Sequence, residues 1–402
     1  MITSALVVGL GRSGHAAAAA LAERGTRVRA VDRSDDADAG RLAELGVEVV
    51  LGSEEEALVD DVDVLVKSPG VPAESPPVAR ARSLGIPIWS EIELGYRLLP
   101  GNPLIGVTGT KGKTTTVRLL GAMFEAAGRP ARLAGNEHQP LSEAAGEVPE
   151  GEWIVCELSS FQLEDVHTLA CDVAVLLNLE PDHLDRHGTF DAYREAKLRV
   201  FERAGVKIVP RGLGVADIAF SGDDPLPAEP RIPGAHNREN AAAATAAARA
   251  AGLEDEAIAT ALETFPGVPH RLELVRQLDG VRYVNDSKAT NVAAALRALQ
   301  TYADEPVQVI LGGSSKDEDF EPLAAAIGPN VRGIHLIGDE GRRMAKVIDG
   351  HVDGTLERAV RHAHELAHPG DVVLLSPACA SYDQFRNFEE RGDTFRRLVE
   401  EL

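Results

Sequence analysis

The run Gly106-Val107-Thr108-Gly109-Thr110-Lys111-Gly112-Lys113-Thr114-Thr115-Thr116 is the stretch of this chain best equipped for chemistry. Pro103-Leu104-Ile105, with Val107, reads as a short buried strand before it, and residues 117–124 read as an amphipathic helix after it. A glycine-rich turn from strand to helix that ends in Lys-Thr suits nucleotide phosphates. Backbone N–H groups and the helix N-terminus face the anion, the lysine reaches the terminal phosphates, and the hydroxyl meets Mg²⁺. The usual GxxxxGK[ST] spacing fails by one residue, because Val107 stands where its first glycine belongs. The shorter core from Gly109 to Thr115 keeps every physical element. A solvated Lys/Thr turn is the bland alternative; the flanking elements favour a triphosphate site.

Other strand ends carry reactive side chains. Gly9-Leu10-Gly11-Arg12-Ser13-Gly14 matches GxGxxG, and Asp32 closes the next strand at the distance of a ribose contact. On spacing alone this is a nicotinamide dinucleotide loop, another diphosphate loop, or tight helix–strand packing. Ser68-Pro69-Gly70-Val71 is either a further ligand loop or an ordinary turn. Glu157, directly after a strand, could meet the metal that the loop threonine meets, or could cap local structure. His183 lies in Asn178-Leu179-Glu180-Pro181-Asp182-His183-Leu184-Asp185, where metal or substrate contact competes with local satisfaction. Lys197 reads from spacing as a solvated helix lysine. Residues 270–273, 285–291, 312–316 and 376–381 also end strands, mixing cations or hydroxyls with small residues. Such edges suit a small dicarboxylate or phosphates.

Elements must position these groups. Residues 5–8, 27–31, 47–51 and 62–66 alternate with helical segments in a βαβ rhythm, and residues 153–156 and 173–177 add strands to a second block. Residues 281–284, 307–311, 333–337 and 372–375 make a third. Breaker-rich stretches at 99–103 and 266–269 separate the blocks and are expected to act as hinges. The predicted fold is α/β in three domains. They are a Rossmann-like parallel sheet over 1–98, a P-loop-type ATP-binding domain over 99–268, and a Rossmann-like α/β domain over 269–402. With 4% aromatics among 402 residues, the cores must be built from Ala, Val and Leu. A net charge of −22 argues against nucleic-acid or anionic-membrane partners, so an anionic nucleotide must be met by local cations. Cys156, Cys171 and Cys379 form no CxxC pair and read as buried, reduced thiols. The expected compartment is cytoplasmic, with no membrane insertion and no signal peptide.

Together these stretches resemble the Mur ligases of bacterial cell-wall (peptidoglycan) synthesis, and among them the branch that adds D-glutamate. The resemblance runs in order along nearly the whole chain. Residues 109–115 mark the superfamily, while 285–291, 376–384 and Phe388-Glu389-Glu390-Arg391-Gly392 are similar to that branch in particular. It implies an ATP-dependent amide ligation: the carboxylate of UDP-N-acetylmuramoyl-L-alanine takes the γ-phosphoryl group to give an acyl phosphate, and the D-glutamate amine displaces phosphate. The partners implied are those two substrates and ATP, acting on a monomer.

The resemblance also implies roles. Gly109, Thr110, Lys111, Gly112, Lys113 and Thr115 would cradle phosphates, with Thr114 on Mg²⁺. Glu157 and His183 would serve two Mg²⁺ ions. Lys197 would be carbamylated and bridge to a metal, against the solvated lysine that spacing suggests. Asn237 and Asn240 would face adenine, and Arg271 and Asp286 phosphate and ribose. Thr290, Lys316, Ser381 and the backbone of Phe388 would bracket the D-glutamate carboxylates. Gly11, Arg12, Ser13, Asp32, Arg33 and Ser68 would hold UDP, and Asn136 the muramoyl-alanine part. Two departures stand out: residues 206–233 are short for the central domain, and Gly135-Asn136-Glu137-His138-Gln139-Pro140 is more polar than expected. The rival readings are a nicotinamide oxidoreductase and a non-catalytic nucleotide-binding scaffold.

Overall fold

Short runs of Ala, Val, Ile and Leu without polar alternation build strands that are covered on both faces, as parallel sheets require. In the computed structural model, which describes residues 2–37, 39–214, 216–314 and 318–402, such strands form three sheets. The first comprises β1 (Ser4–Val8), β2 (Arg27–Asp32), β3 (Glu48–Leu51), β4 (Val64–Lys67) and β5 (Ile88–Ser90), in the order β3-β2-β1-β4-β5. All its pairings are parallel. The pleat sends Ala5 and Val7 into one apolar cluster and Leu6 and Val8 into the other.

The second sheet holds β6 (Leu104–Thr108), β7 (Arg132–Gly135), β8 (Ile154–Glu157), β9 (Val173–Leu176), β10 (Val206–Pro210) and β11 (Ile218–Phe220). Its order is β11-β10-β9-β6-β8-β7, again wholly parallel. The chain leaves β6 toward β8 and β7, then crosses to β9. The loop after β6 therefore opens at a topological switch point, where open sheets bind ligands. The helix Ala235–Ala250 packs beside the helix Lys113–Ala126 and buries its alanines.

By contacts the chain divides into two compact units, Met1–Pro230 with Ala235–Phe265, and Arg231–Gly234 with Pro266–Leu402. The first unit thus contains two sheets, and the linker over 99–103 lies inside it. Buried polar groups explain why. Lys67, only 1% exposed, pairs with Glu164 at 3.0 Å and Asp165 at 2.8 Å. Glu93, in the helix Glu91–Leu98, accepts from the backbone N–H groups of His167, Thr168 and Leu169. Glu91 accepts from the Ser142 N–H and hydroxyl. Asn102, within the linker, donates to the carbonyls of Pro149 and Glu152. These bonds hold the segments on either side of that linker together within the first unit.

The second unit carries β12 (Glu273–Leu278), β13 (Val281–Asn285), β14 (Val307–Gly312), β15 (Val331–Ile337), β16 (His351–Gly354) and β17 (Val372–Leu375). The order is β12-β13-β17-β14-β15-β16, with β12 antiparallel to β13 and the rest parallel. Val307, Val309 and Leu311 face one core cluster, and Ile310 the other. The three cysteines are buried and unpaired, and burial pushes the Cys171 and Cys379 thiols up to about 12. Among the described residues, no helix is long and apolar enough to cross a membrane.

Candidate active site

The loop between β6 and the helix Lys113–Ala126 turns on two glycines. Gly109 has φ of 153° and Gly112 has φ of 84°, a region that L side chains rarely adopt. A Cβ on Gly112 would fall 2.2 Å from Asn240 Oδ1, so the adenine-facing candidate presses directly on the loop. Asn240 in turn donates to Asn237 Oδ1 at 3.4 Å, and both are buried. The following strand end clamps the loop's other side. Asn178 O accepts from Thr110 N at 3.1 Å, and Asn178 Oδ1 accepts from Lys111 N at 2.8 Å. Lys111 pairs with Glu180, and Tyr193 shares a hydrogen bond with Thr110 Oγ1 at 2.9 Å.

Two ammonium groups converge here. Lys113 Nζ donates to the Gly109 and Thr110 carbonyls, and Lys197 Nζ donates to the same Gly109 carbonyl. Lys197 is 2% exposed and lies over the Tyr193 ring, so the solvated lysine suggested by spacing is wrong. Burial, aided by Lys113, lowers its pKa to about 7. Thr114 and Thr115 are buried at the helix start, whose cap residue Gly112 offers no side chain of its own.

Glu157 ends β8 at 1% exposure, accepting from Asn136 Nδ2 through Oε1 at 3.1 Å. Its Oε2 faces His138 Nε2 at 3.6 Å, and neither atom has a hydrogen-bond partner. A buried carboxylate oxygen left without a hydrogen bond is costly. That oxygen and the Thr114 hydroxyl are hard oxygen donors of the kind Mg²⁺ takes, so these residues fit such an ion. His183 is more exposed, in a left-handed conformation (φ of 51°), beside Asp182 and the Phe161 ring. No ion pair joins it to Glu157 among the described residues. The partnership of His138 with Glu157 was missed from sequence, although the polarity of its loop had signalled something unusual.

In the first sheet, the switch point between β1 and β4 opens a cleft of about 400 Å³. Gly11, Arg12, Ser13, Asp32, Arg33, Ser68 and Asn136 all line it. Ser68 Oγ donates to the Gly9 carbonyl at 2.7 Å, and a Cβ on Gly14 would strike that carbonyl at 1.8 Å. The third glycine of GxGxxG therefore serves close packing. Asp32 accepts from Leu10 N at 2.6 Å and Ser34 N at 2.8 Å, so its carboxylate shapes the loop. Arg12 donates to the Asn136 carbonyl at 2.6 Å. Asn136 thereby joins this cleft to Glu157.

In the second unit, Asp286 follows β13 and accepts from Ser376 Oγ at 2.8 Å and Leu272 N at 3.2 Å. Burial raises its pKa to about 7. Arg271 sits between two residues of positive φ, His270 and Leu272, and its Nε is buried without a partner. Strain of this kind marks a side chain held in place by its surroundings. Phe388 O accepts from Ser287 Oγ at 2.8 Å, Ser381 is buried, and Thr290 lies on the same strand-end loop as Asp286. Lys316 lies outside the described residues. Arg391, fully buried, donates to Ser287 Oγ and to the carbonyls of Ser287, Cys379 and Ala380. It was legible only as part of a motif, not as the organiser of these loops.

Comparison with known proteins agrees with this arrangement. Residues 3–90 match the Mur ligase MurD-like N-terminal domain, 107–211 the Mur ligase middle domain, and 270–379 the Mur ligase glutamate ligase domain. The UDP-N-acetylmuramoylalanine–D-glutamate ligase of Myxococcus xanthus is 41% identical, over 99% of this chain and 98% of that protein. The enzyme of the same name from Geobacillus kaustophilus is 40% identical, over 99% and 97%. Among solved structures, UDP-N-acetylmuramate-alanine ligase from Thermotoga maritima shares the fold with a TM-score of 0.56 at 18% identity, covering 100% of this chain and 99% of that one. With all three domains matched in order and identity near 40% over almost its full length, the chain belongs to the Mur ligase family.

Proposed function

We propose that this chain is an ATP-dependent amide ligase that joins D-glutamate to UDP-N-acetylmuramoyl-L-alanine, releasing ADP and phosphate, in peptidoglycan synthesis. The observation that carries the reading is the convergence of Lys113 and Lys197 on the Gly109 carbonyl, in a loop built for phosphates. The shared name of relatives at about 40% identity supports the choice of substrates.

A carboxylate is a poor acceptor for an amine. Phosphorylation supplies the missing leaving group: a carboxylate oxygen bonds to the γ-phosphorus as the bond to ADP breaks. The D-glutamate amine then attacks the acyl carbon, phosphate leaves, and the amine loses a proton. Most of the catalysis in such a sequence is positioning and charge neutralisation. Lys113 neutralises the β- and γ-phosphate oxygens while the amides of Gly109 to Thr115 cradle them. Asn237 and Asn240 receive the base. Arg12, Ser13 and Arg33 hold the UDP end, with Gly11, Asp32 and Ser68 shaping its loop, and Asn136 hands the muramoyl-alanine arm toward Glu157. In the second unit, Arg271 and Asp286 meet nucleotide phosphate and ribose. Thr290, Lys316, Ser381 and the Phe388 backbone receive the D-glutamate carboxylates.

Thr114, Glu157, His183 and a modified Lys197 would hold Mg²⁺, two ions in this reading, which when bound offsets negative charge on the phosphates. The Lys197 modification is a carbamate: the neutral amine adds to CO₂ carbon and sheds one proton. An amine titrating near 7 is neutral often enough to react. The product replaces a cation that repels Lys113 with an anion that attracts it. The reading takes the protein as a cytoplasmic monomer without a nucleic-acid partner.

The test is phosphate release by the purified chain with ATP and Mg²⁺. Turnover must require both UDP-N-acetylmuramoyl-L-alanine and D-glutamate, and the product mass must equal their sum less one water. Turnover with other amino acids but not D-glutamate would remove the assignment.

A further inference from the structure

Away from every residue used above, the second unit gathers three imidazoles and a carboxylate on the outer strands of its sheet. His335 on β15 pairs in register with His351 on β16. The register then slips, with Leu336 opposite Val352 and Ile337 opposite Gly354, which leaves Asp353 unmatched. An irregularity of this kind re-aims a side chain. Asp353 Oδ2 lies 3.0 Å from His335 Nδ1, and its Oδ1 lies 2.9 Å from Nδ1 of His362 on the helix Leu356–Leu366. The His351 ring stands 4.5 Å from the His362 ring, centroid to centroid.

A second observation points to a cation. His335 is fully buried, and its Nε2 faces Gln308 Oε1 at 3.2 Å. Gly333 makes room for that amide, since a Cβ there would fall 1.9 Å from the same oxygen. A neutral imidazole has one N–H. If it serves Gln308, the Nδ1 lone pair confronts a carboxylate oxygen with nothing positive between them. A ligating histidine held at its other nitrogen is the usual outer-shell arrangement around a metal.

We propose that His335, Asp353 and His362 form a binding site for a borderline divalent cation of the zinc class, with His351 or water completing four ligands. One donor atom from each of the three lies within 4.8 Å of the others. Tetrahedral zinc, with bonds of about 2.0–2.1 Å, places ligand atoms about 3.3 Å apart. Each Asp353 oxygen already lies about that far from one imidazole nitrogen, Oδ2 from His335 Nδ1 and Oδ1 from His362 Nδ1. His362 is part-exposed, so its ring can close the third pair and the ion has an access path. Imidazole donors favour zinc, copper or nickel over magnesium or calcium. The ion would tie the edge strand β16 to β15 and to the helix above it, securing the sheet's free edge.

The test uses the full chain, stripped with a chelator and titrated with Co²⁺. The proposal expects one equivalent of tetrahedral Co²⁺, seen as intense visible absorption that Zn²⁺ abolishes. The signal should be lost in His362→Ala and in the milder His362→Gln, and kept in Glu157→Gln, which disables the phosphate-side cation site. Zn²⁺ at about a hundred times its Kd should raise the folded-to-unfolded ratio of the second unit about a hundredfold. That gain should be absent in His362→Gln. Absence of the absorption, or an unchanged spectrum in both His362 variants, would overturn the proposal and leave a hydrogen-bonded histidine cluster.

Discussion

Lys113 and Lys197 donate to one oxygen, the Gly109 carbonyl, at 2.9 and 2.8 Å. Two ammonium groups on one carbonyl repel each other, and one of them is almost wholly removed from water. The arrangement makes sense when Lys113 is matched by phosphate and Lys197 changes its charge. Lys197→Ala should therefore lower kcat by at least about a hundredfold, the loss expected when a group that stabilises developing charge is removed. Short carboxylates such as formate or acetate should restore part of it by occupying the vacated space. Full activity in the alanine variant would end the carbamate reading.

The same burial has a thermodynamic consequence. Lys197 titrates near 7 in the folded chain against 10.5 for an ordinary lysine. Between those values the unfolded chain binds the additional proton, so stability rises with pH across this window. Below pH 7 the cost of burying the charge is felt in full. Lys197→Met should remove that cost and stabilise the protein by about 1–2 kcal/mol in CO₂-free buffer. Thermal unfolding should show the advantage at neutral pH and lose it toward pH 10.5. A Met variant less stable than wild type at neutral pH would contradict this.

What was legible in the sequence was what local pattern controls. Apolar runs such as Ala5-Leu6-Val7-Val8 announce covered parallel strands, and the spacing of Gly109, Gly112 and Lys113 announces the loop. Strands of three or four residues with polar members, such as β5, β7 and β16, carry too little periodicity to be seen. Lys197 was misjudged because helical spacing does not say which face a neighbouring loop will cover; here Gly109 and Tyr193 cover it. Glu91 and Glu93 look like solvent-facing residues of an amphipathic helix, yet both are buried against residues some fifty to eighty positions away. No local rule encodes such pairings.

Glu93 is the clearest stability test of the first unit. Its carboxylate, wholly buried, accepts from three backbone N–H groups, the Thr168 hydroxyl and Arg97. Burial alone would raise its pKa, but the bonds from His167 and Thr168 outweigh it and hold the group below its usual value. Glu93→Ala strands those donors, so unfolding in urea should show a loss of about 3–5 kcal/mol. The sign for pH follows from the depressed value. The contribution is present above 4.5 and disappears as acid titrates the folded form below it. The acid limb of the stability curve should therefore flatten in the variant; an unchanged limb would exclude this role.

Gly112→Ala tests the phosphate loop without touching a charge. The new Cβ would meet Asn240 Oδ1 at 2.2 Å, at a φ of 84° that costs alanine about 1–2 kcal/mol. The loop must shift away from Asn240, so KM for ATP should rise about tenfold or more, each 1.4 kcal/mol being a factor of ten. KM for the UDP-linked substrate, whose proposed cleft lies at the first sheet, should change little. Equal changes in both would mean that the substitution disturbs the whole unit.

Arg391 tests the amino-acid side. Its guanidinium has no exposed surface and spans four acceptors: Ser287 Oγ at 2.9 Å, Ser287 O at 2.9 Å, Cys379 O at 3.0 Å and Ala380 O at 3.1 Å. Burial lowers its pKa only to about 10, so the charge persists at neutral pH. It fastens the loop after β13 to the loop after β17, which carry Thr290 and Ser381. A lysine cannot reproduce this planar fork, and Arg391→Lys should leave carbonyls unpaired, destabilising the second unit by about 2–4 kcal/mol. Where the folded variant is assayed, KM for D-glutamate should rise more than KM for ATP, because in the proposed reading the displaced loops receive the amino acid's carboxylates. An Arg391→Lys protein with wild-type KM for D-glutamate would show that those loops hold their shape without the clamp, and the D-glutamate site would have to be sought elsewhere in the unit.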